Sequence, residues 1–591
     1  MNERLSNIKL FYRILTISIF VILAIRFAQL QLFNWDQYFR ESEKNRIREV
    51  ILESPRGMVY DRNGEILIDN RPAYSVSVVP YEFLQADSSV TLLSSILDQS
   101  PNAIKSKINK EASRFRPVKI KRQISFATLS HIEEFRLDLP GVFYSIESKR
   151  FYPAGIRAPH LFGYLGEIDS KELKYRKDSG YRMGDLIGKK GLELQYEKYL
   201  RGEPGVKYVE VDALGREIRV LEELSTESPT PGENLYLTLD ANLQRHLEGA
   251  MDGKRGAAVV LDPRNGEILA MVSKPDYDPK TFSKPITTKL WKKLVNNEGK
   301  PLYNRACQSV YPPGSTFKLV LAAAGVETGL INPQEKILCR GAYRLGRRLF
   351  RCWKEGGHGD VNLTEAIEQS CNVYFFTRSL EVGLENWCEF AKLFRFGKLT
   401  GLDLPNESTG TVPDSHYLDR KFGKKGWTRG LILNLSVGQG DLLATPLQMA
   451  YLAMILGNEG LGFRPHLLKK HVDPTTGVEV VQEVKSRRVQ GISSKTFRLV
   501  KLGMYMVVNG QRGTGRAAWI PKVKVCGKTG TAQNPHGEDH AWFIGFAPQE
   551  NPEIAFCIMV ENAGSGGAIA APIARGMLSK YFDKRQKFAL K

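Results

Sequence analysis

The sequence lacks several features that define common protein classes. Its seven cysteines are an odd number, so they cannot all pair in disulfides within one chain. It contains no internal repeat and no low-complexity tract, which argues against solenoids, repeat arrays and disordered chains. Only one apolar run approaches membrane-spanning length, so a polytopic membrane fold is excluded. At 591 residues and 42% hydrophobic content, the chain predicts two to four globular domains.

The sequence is also short of acidic residues. Lysine and arginine total 84 against 64 acidic residues, a net charge of +20. Such a balance predicts a polyanionic neighbour, either nucleic acid or an anionic membrane. The basic residues form no long arm, which argues against nucleic acid as a partner and favours the cytoplasmic membrane. Scattered examples are Arg305, Arg340, Lys354, Lys424, Lys469 and Arg512.

The N-terminal segment predicts a single membrane anchor over residues 10–33. The uncharged stretch Ile14–Ile25 has only twelve residues, and a bilayer needs roughly 20. The longer segment spans a bilayer if Arg13 and Arg26 extend to the interface or face a partner. A cleaved signal peptide is the alternative, but no small-x-small cleavage site follows. The preceding positive charges place residues 1–9 in the cytoplasm. We therefore expect a single-pass protein of the cytoplasmic (inner) membrane whose bulk lies outside the cytoplasm, in the periplasm or extracytoplasmic space.

The remaining chain divides at a polar, proline-containing stretch. Residues 34–222 read as a mixed α+β domain with a hairpin turn at Asp61-Arg-Asn-Gly64, preceded by a helix-like stalk at Glu41–Ile51. Residues 223–232 read as a linker. In residues 233–583, strand patterns at both ends enclose a largely helical region from Trp291 to Leu456, which predicts an α/β sandwich. Residues 584–591 form a basic tail.

Three short motifs carry the chemistry of the second domain. Ser315 and Lys318 lie one turn apart at the predicted start of a helix, after Pro312, Pro313 and Gly314. A serine hydroxyl needs a nearby base, and a lysine can serve if its pKa is lowered. Alone this spacing is a weak signal, because a solvated helix start carries it equally well.

The other two motifs make the signal specific. Ser370-Cys371-Asn372 lies between two helical runs, and Lys528-Thr529-Gly530-Thr531 follows a predicted strand. That strand offers a backbone edge for an extended peptide and a cation for a carboxylate. A phosphate-binding loop at Gly527-Lys-Thr is excluded, because the glycine required at position 522 is Lys522.

Ser-x-x-Lys, Ser-x-Asn and Lys-Thr-Gly in this order resemble the motifs of penicillin-recognising acyl-serine enzymes. Over nearly its whole length the chain resembles the class B penicillin-binding proteins, which are peptidoglycan D,D-transpeptidases. Arg56-Gly57 with Asp61-Arg-Asn-Gly64 is similar to the family's non-catalytic, dimerisation-type pedestal, and Pro275–Pro279 is similar to the lead-in to its catalytic domain. The segment Trp353–Gly359 resembles the elongation type, with the division type as the near alternative.

The resemblance implies a fold and a set of roles. The fold is an α/β (α+β) transpeptidase domain, a sheet flanked by helices, carried on an elongated α+β pedestal. Ser315 is the implied nucleophile and Lys318 its base, while Ser370 relays a proton and Asn372 positions Lys318 and the substrate amide. Lys528, Thr529, Gly530 and Thr531 bind the substrate, and backbone N–H groups of Ser315 and Thr531 form the oxyanion hole. No cofactor is required. The implied partners are peptidoglycan stem peptides, a polytopic shape-determining glycan polymerase and other elongation-complex proteins.

A cluster of possible metal ligands lies between the first two motifs. It comprises Cys339, Cys352, His358 and Cys371. Three thiolates and an imidazole form a complete ligand set for structural zinc. Buried free thiols, or one disulfide with a thiol left over, are the alternatives. Metal-ligand residues at corresponding places in some elongation-type relatives favour zinc. An extended Ser370–Asn372 segment would point Cys371 away from its two neighbours, towards this site.

One alternative of another class shares all three motifs. A membrane-anchored β-lactam sensor or scaffold with a dead or slow site would become acylated without supporting cross-linking. No carboxylate is placed in the sequence to activate a deacylating water, so a β-lactamase is disfavoured.

Overall fold

The protein is described here from a computed structural model. It describes residues 2–36, 38, 47–84, 87–109, 117–176, 179–211, 217–221, 226–284, 286–424, 426–535 and 537–589. Contacts divide the chain into two compact units that interleave along the sequence. The first unit comprises Met1–Pro55, Pro72–Ser148 and Gly202–Pro231. The second comprises Arg56–Arg71, Lys149–Arg201 and Gly232–Lys591.

The N-terminus of the first unit is one long apolar helix. It runs over Asn2–Ala28 and continues as a π-helical turn, Gln29–Phe33. The segment Asn7–Phe33 has a mean hydropathy of 2.2 and is long and apolar enough to cross a membrane. None of its side chains is buried against another part of the described chain, which suits a lipid environment.

The rest of the first unit is mixed α and β. Strand Gly205–Val211 pairs with Ile47–Leu52 on one side and Glu217–Val220 on the other. A second layer packs helices on strands around a core that includes Leu93, Ile104 and Ile120. Its elements are Pro80–Phe83, Asp87–Leu97, Pro101–Asn109, Val118–Ile124, Phe126–Glu134 and Val142–Phe151. This confirms the α+β character predicted for the region.

Parts of the predicted stalk and linker lie outside the described residues, and the described part of the stalk differs from the prediction. The prediction of a helix-like stalk over Glu41–Ile51 was wrong for its described residues, because Ile47–Leu52 is a strand. Pairing with Gly205–Val211, far away in sequence, outweighs the local helical preference. Residues 41–46 and 222–225 lie outside the described residues, as do 590 and 591 of the predicted tail. The last helix, Ala570–Ala589, extends into that tail.

The second unit begins with a hairpin and a buried ion-pair cluster. Strand Val59–Tyr60 pairs with the start of strand Ile66–Val78 around the predicted turn at Asp61–Gly64. The residues of that strand from Pro72 onwards belong to the first unit. Arg56 donates to Glu193 (2.7 Å) and forms an ion pair with Glu197, and Arg150 donates to the other oxygen of Glu193 (2.7 Å). Because these buried charges are paired, removing one partner would leave the others unpaired at high cost.

The centre of the second unit is a five-stranded antiparallel sheet. Its spatial order is Ile268–Lys274, Gly256–Leu261, Ile554–Val560, His540–Ala547 and Cys526–Ala532. Helices Ala241–Ala250 and Ala570–Ala589 contact each other and the sheet. Helices Pro446–Gly457 and Ser494–Asn509 form a second such pair. The α/β sandwich is thus confirmed, with strand Cys526–Ala532 at the sheet edge.

The region predicted to be largely helical also contains short strands. Two ribbons lie between the first two motifs, Ile337–Cys339 with Gly359–Val361 and Ala342–Leu345 with Arg348–Arg351. Each strand has only three or four residues, too few for a clear alternation in the sequence. Besides Pro446–Gly457, the helices of this region are Thr288–Val295, Lys318–Glu327, Leu363–Glu368, Asn372–Leu393, Ser415–Phe422 and Arg429–Ser436. Short helices earlier in the unit are Pro159–Phe162, Ser170–Tyr175, Gly191–Gln195 and Glu197–Leu200.

Candidate active site

Ser315 lies in a tight turn that leads directly into a buried helix. The turn Gly314–Phe317 is 3₁₀-helical, and the α-helix Lys318–Glu327 follows without a break. Gly314 has φ +58°, and a Cβ there would lie 2.9 Å from the carbonyl oxygen of Thr531. Only glycine therefore allows this turn to approach the edge strand so closely. The approach brings the backbone of Ser315 beside the third motif.

The second motif is a turn between two helices rather than an extended segment. Helix Leu363–Glu368 ends before it, and helix Asn372–Leu393 begins at its last residue. Ser370 has φ +54°, a left-handed conformation, so the segment Ser370–Asn372 is not extended throughout. The indole N–H of Trp353 donates to the carbonyl oxygens of Gln369 (3.1 Å) and Ser370 (3.2 Å), which supports the turn.

The third motif lies on the sheet's edge strand, Cys526–Ala532. Lys528 is fully buried, and its ammonium group donates to the backbone oxygen of Thr529 (3.0 Å). A Cβ at Gly530 would lie 2.9 Å from Thr316 Cγ2, so this glycine allows the strand to approach the turn Gly314–Phe317.

The two lysines of the motifs converge on Ser370. Lys318 Nζ donates to Asn372 Oδ1 (2.6 Å) and to the backbone oxygen of Ser370 (2.8 Å), and its distance to Ser370 Oγ is 3.3 Å. Lys528 Nζ donates to the same Oγ at 2.9 Å. All three motifs therefore meet at one hydroxyl group. This arrangement can move a proton between a buried amine and a serine hydroxyl.

Burial changes the protonation of both lysines. Desolvation lowers the pKa of Lys318 to about 8, although nearby Cys371 and Cys352 oppose the change. The pKa of Lys528 is lowered well below its ordinary value, first by burial and then by the charge of Lys318. An amine with such a pKa is available as a base near neutral pH.

A hydrogen-bonded bridge links the helix before the second motif to the third motif. The hydroxyl of Thr514 lies 2.7 Å from the hydroxyl of Thr529 and donates to the backbone oxygen of Glu368 at 3.4 Å. The Glu368 carboxylate is buried and accepts from the backbone N–H of Arg512 (3.1 Å). Desolvation raises the pKa of Glu368. Gly510 allows this approach, because a Cβ there would lie 2.2 Å from Glu368 Oε1.

Sequence reasoning missed Thr514, Glu368 and the support given by Trp353. The glycine-rich run Gly510-Gln-Arg-Gly-Thr-Gly515 was the signal that could have indicated a close backbone approach. Its partners lie far away in the sequence, so the run alone does not show what it contacts.

The four predicted metal ligands are brought together behind the second motif. Cys339, Cys352, His358 and Cys371 are all buried, and their ligand atoms all lie within 4.8 Å of one another. His358 Nδ1 lies 3.5 Å from Cys339 Sγ and 3.6 Å from Cys352 Sγ. The turn thus directs Ser370 towards the lysines and Cys371 towards this cluster. The remaining cysteines are buried and free: Cys307, Cys388, Cys526 and Cys557.

Comparisons with known proteins agree with this arrangement. Residues 256–579 match the family model for the penicillin binding protein transpeptidase domain, and residues 51–237 match that for the penicillin-binding protein dimerisation domain. The chain is 36% identical to the peptidoglycan D,D-transpeptidase MrdA of Acinetobacter baumannii, over 99% of this chain and 89% of that relative. It is 34% identical to the protein of the same name from Escherichia coli K12, over 93% of this chain and 90% of the relative.

Solved structures give the same family. The penicillin-binding protein PBP2 of Helicobacter pylori, solved in complex with MreC, is 30% identical with a TM-score of 0.79, covering 91% of this chain and 99% of that one. Pseudomonas aeruginosa PBP2 in complex with WCK 5153 is 31% identical with a TM-score of 0.67, covering 90% and 96%. This chain therefore belongs to the penicillin-binding protein transpeptidases, as a serine-type peptidoglycan D,D-transpeptidase of the elongation type, penicillin-binding protein 2.

Proposed function

We propose that Ser315 forms the acyl-enzyme through which this transpeptidase cross-links stem peptides. The observation that carries the proposal is the convergence of Lys318 and Lys528 on Ser370 Oγ, beside the turn that holds Ser315. A buried amine with a lowered pKa is the base that a serine nucleophile needs. Ser370, Asn372 and Lys528 complete the proton path around it.

In the acylation half-reaction, Ser315 Oγ attacks the carbonyl carbon of the penultimate D-alanine. Neutral Lys318 accepts the hydroxyl proton, and its ammonium form is held by Asn372 Oδ1 and the backbone oxygen of Ser370. Backbone N–H groups of Ser315 and Thr531 stabilise the oxyanion. The C–N bond then breaks, and Ser370 passes a proton to the departing amino group of D-alanine, replacing it from Lys318. The products are an ester on Ser315 and free D-alanine.

In the second half-reaction, an amine of a neighbouring stem peptide attacks the ester. The same groups act in reverse: the amine loses a proton through Ser370 to Lys318, and the Ser315 oxygen regains one as it leaves. During acylation, Lys528 with Thr529, Gly530 and Thr531 binds the terminal carboxylate of the donor peptide. A β-lactam acylates Ser315 because its strained amide resembles the D-alanyl-D-alanine bond.

Intact-protein mass spectrometry with penicillin tests this assignment. We expect one penicilloyl adduct on the wild-type protein and none on Ser315→Ala. No adduct on the wild type, or an adduct that survives in the variant, would contradict it. A cross-linking assay with purified stem peptides separates an enzyme from a β-lactam sensor, because a sensor would be acylated without forming cross-links. Depletion followed by microscopy tests the elongation role: rounded cells support it, and filaments would support division.

We also propose that Cys339, Cys352, His358 and Cys371 hold a structural zinc ion. In a tetrahedral site with ordinary Zn–S and Zn–N bonds, a sulfur and a nitrogen ligand lie about 3.6 Å apart. The observed distances from His358 Nδ1 to two sulfur atoms are 3.5 and 3.6 Å, which supports the proposal. Zinc here would tie Cys371 to the ribbon strands and fix the Ser370 turn. It takes no part in the chemistry.

Metal analysis of the purified protein tests the zinc proposal. We expect about one equivalent of zinc in the wild type and in Cys388→Ser, and a large loss in Cys352→Ser. Cys388 is a matched control because it is buried but bonds to the backbone oxygen of Pro413, outside the cluster. Less than about a tenth of an equivalent, together with a Cys339–Cys352 disulfide on mapping, would contradict the proposal.

The proposed location and partners follow from the anchor and the relatives. We infer that the segment Asn7–Phe33 spans the inner membrane once and that the catalytic domain works in the periplasm. A related H. pylori protein was solved with MreC, and a further similar structure belongs to a peptidoglycan synthase complex. These support a polytopic glycan polymerase and elongation-complex proteins as partners. Residues 34–222 are proposed as the pedestal and 233–583 as the transpeptidase domain.

A further inference from the structure

A strongly basic β-hairpin lies next to the second motif and has no role in the chemistry above. The arginine hairpin, as we name strands Ala342–Leu345 and Arg348–Arg351 with their turn, belongs to a stretch with six cations and no acidic residue between positions 340 and 354. Those cations are Arg340, Arg344, Arg347, Arg348, Arg351 and Lys354.

The arginine hairpin is anchored by one face and exposes the other. Tyr343, Leu345 and Phe350 pack with Phe376 and neighbouring apolar residues of the second unit. On the opposite face, Arg344 and Arg351 are exposed, as is Leu349. Arg347 and Arg348 are exposed at the turn, where the Arg348 guanidinium lies 5.0 Å from the Phe350 ring. One face of the hairpin is therefore packed, while its arginine side chains are exposed.

These arginines are not neutralised by the protein itself. Within the described part of the chain, none of the four forms an ion pair with a carboxylate. Elsewhere in the second unit exposed cations do find such partners, as with Lys421 and Asp441 or Lys470 and Glu479. Four unpaired guanidinium groups on one small hairpin repel each other, so an anion that binds there is favoured.

The hairpin starts at the active site. The side-chain amide of Asn372 donates to the backbone oxygen of Arg351 (3.4 Å), while its Oδ1 accepts from Lys318. In the strand register Arg351 faces Ala342, so Arg344 lies diagonally across from it on the same face. Such a diagonal spans about 7 Å, which is close to the repeat between same-side groups of an extended peptide. The arginines therefore form a track that leads away from the catalytic asparagine.

We propose that the exposed face of the arginine hairpin binds the carboxylate-bearing part of the donor stem peptide, upstream of the bond that Ser315 attacks. This rests on the proposed function and on the role that the family resemblance gives Asn372, which is to position the substrate amide while the rest of the peptide continues beyond it. The ligand class is an extended peptide with side-chain carboxylates, such as one containing diaminopimelate. Guanidinium groups suit it because they bind carboxylates in bidentate fashion. A small β-lactam has no such extension and does not reach the track.

The test uses two labelled peptides that end in D-alanyl-D-alanine. One contains diaminopimelate with a free side-chain carboxylate, and in the other that carboxylate is amidated. Binding to the full chain carrying Ser315→Ala, which cannot be acylated, is measured by fluorescence anisotropy. We expect the free carboxylate to bind about tenfold more tightly, and the preference to shrink at high salt. Equal binding of the two peptides would overturn the proposal. This comparison requires no substitution in the hairpin.

Two triple variants, each of which removes three positive charges, then show where the preference for the free carboxylate arises. Arg344→Gln, Arg347→Gln and Arg351→Gln together should abolish it. Lys289→Gln, Lys292→Gln and Lys293→Gln, on the exposed helix Thr288–Val295, remove the same charge and should leave it intact. Equal effects of both triples would show a general charge effect and would overturn the proposal, as would a preference that survives the arginine triple. Thermal unfolding checks the fold of each variant, and an Arg-to-Lys triple should keep part of the preference.

The two proposals fail in different ways. If Ser315 is not the nucleophile, penicillin leaves no adduct that depends on Ser315, whatever the peptides do. If only the hairpin proposal is wrong, the adduct forms normally and the two peptides bind alike.

Discussion

Lys318 and Lys528, which are 210 positions apart in the sequence (528 − 318), both point their ammonium nitrogens at the same atom, Ser370 Oγ. Both are fully buried, so neither charge is screened by water. Two neighbouring ammonium groups disfavour each other, which contributes to the lowered pKa of Lys528. The shared hydroxyl is thus placed where a proton can be exchanged with either amine.

Removing that hydroxyl should slow acylation severely. Ser370→Ala leaves both amines buried but interrupts the path to the leaving group. We expect the rate of acylation by a fluorescent penicillin to fall by about 10²- to 10⁴-fold, the range for general acid–base groups. The measurement is a stopped-flow progress curve at fixed pH.

Ser379→Ala is the matched control for this change. Ser379 is buried on the helix that begins at Asn372, and its hydroxyl donates to the backbone oxygen of Phe376 (2.9 Å). Its loss should change acylation by less than about threefold, since it only removes one neutral hydrogen bond. Similar rates for the two variants would rule out the role given to Ser370.

Thr514 should act as a positioning residue for carboxylate recognition. Its hydroxyl contacts that of Thr529, so it sets whether the Thr529 O–H points at the substrate. Thr514→Val keeps the side chain's shape but can neither accept nor donate. We expect the preference for a penicillin over its methyl ester, measured as the ratio of acylation rates, to fall about tenfold.

Thr514→Ser separates orientation from packing, because it keeps the hydroxyl and loses a methyl group. It should retain most of the preference for the free carboxylate. A loss of rate with both substrates but an unchanged ratio would instead indicate a purely structural role for Thr514.

His160 should make stability depend on pH in a defined window. Burial lowers the pKa of this imidazole to about 4, helped by the charges of Arg305, Lys190 and Lys274, while its hydrogen bond to the Pro301 carbonyl opposes this. Because the folded pKa is below the ordinary value of about 6.5, the unfolded chain binds the proton first. The stability contribution is complete above pH 6.5 and is lost as pH falls towards 4.

His160→Gln removes this titration and keeps a side-chain donor. We expect the difference in unfolding free energy between wild type and variant to be constant above pH 6.5. Between pH 6.5 and pH 4, the unfolding free energy of the wild type should fall by about 1–3 kcal/mol relative to that of the variant. Chemical denaturation at each pH measures the difference. A difference that does not vary with pH would contradict the pKa assigned to His160.

Glu561 should matter far more for stability than an exposed carboxylate. It accepts from buried Arg305 (2.7 Å) and from the Tyr311 hydroxyl (2.7 Å), at the end of a central strand. Glu561→Gln leaves the guanidinium without its counter-charge, and we expect a loss of about 3–5 kcal/mol. Glu479→Gln, which breaks the exposed pair with Lys470, should cost less than about 1 kcal/mol. Thermal unfolding of the wild type and both variants measures the two losses.

The predictable parts of the site are those that depend on local sequence. The helix after Ser315 follows from prolines and glycine before an alanine-rich run, and strand Cys526–Ala532 from its apolar start. The conformation of Ser370 was not predictable, because two packed helices impose a left-handed turn on a residue that rarely adopts it. Thr514 was missed for a related reason: its contacts join three segments that only the folded sheet brings together.

The order of strands in the catalytic sheet also has a consequence for how the protein is made. Strand Gly256–Leu261 pairs with Ile554–Val560, so Val259 faces Cys557, about 300 residues later in the chain. Ser315, Lys318 and Ser370 leave the ribosome well before this partner strand exists. The sheet that presents Lys528 to Ser370 can close only when the C-terminal segment has arrived. A nascent or truncated chain therefore carries Ser315 without a working site, so reactivity towards penicillin reports on completed synthesis.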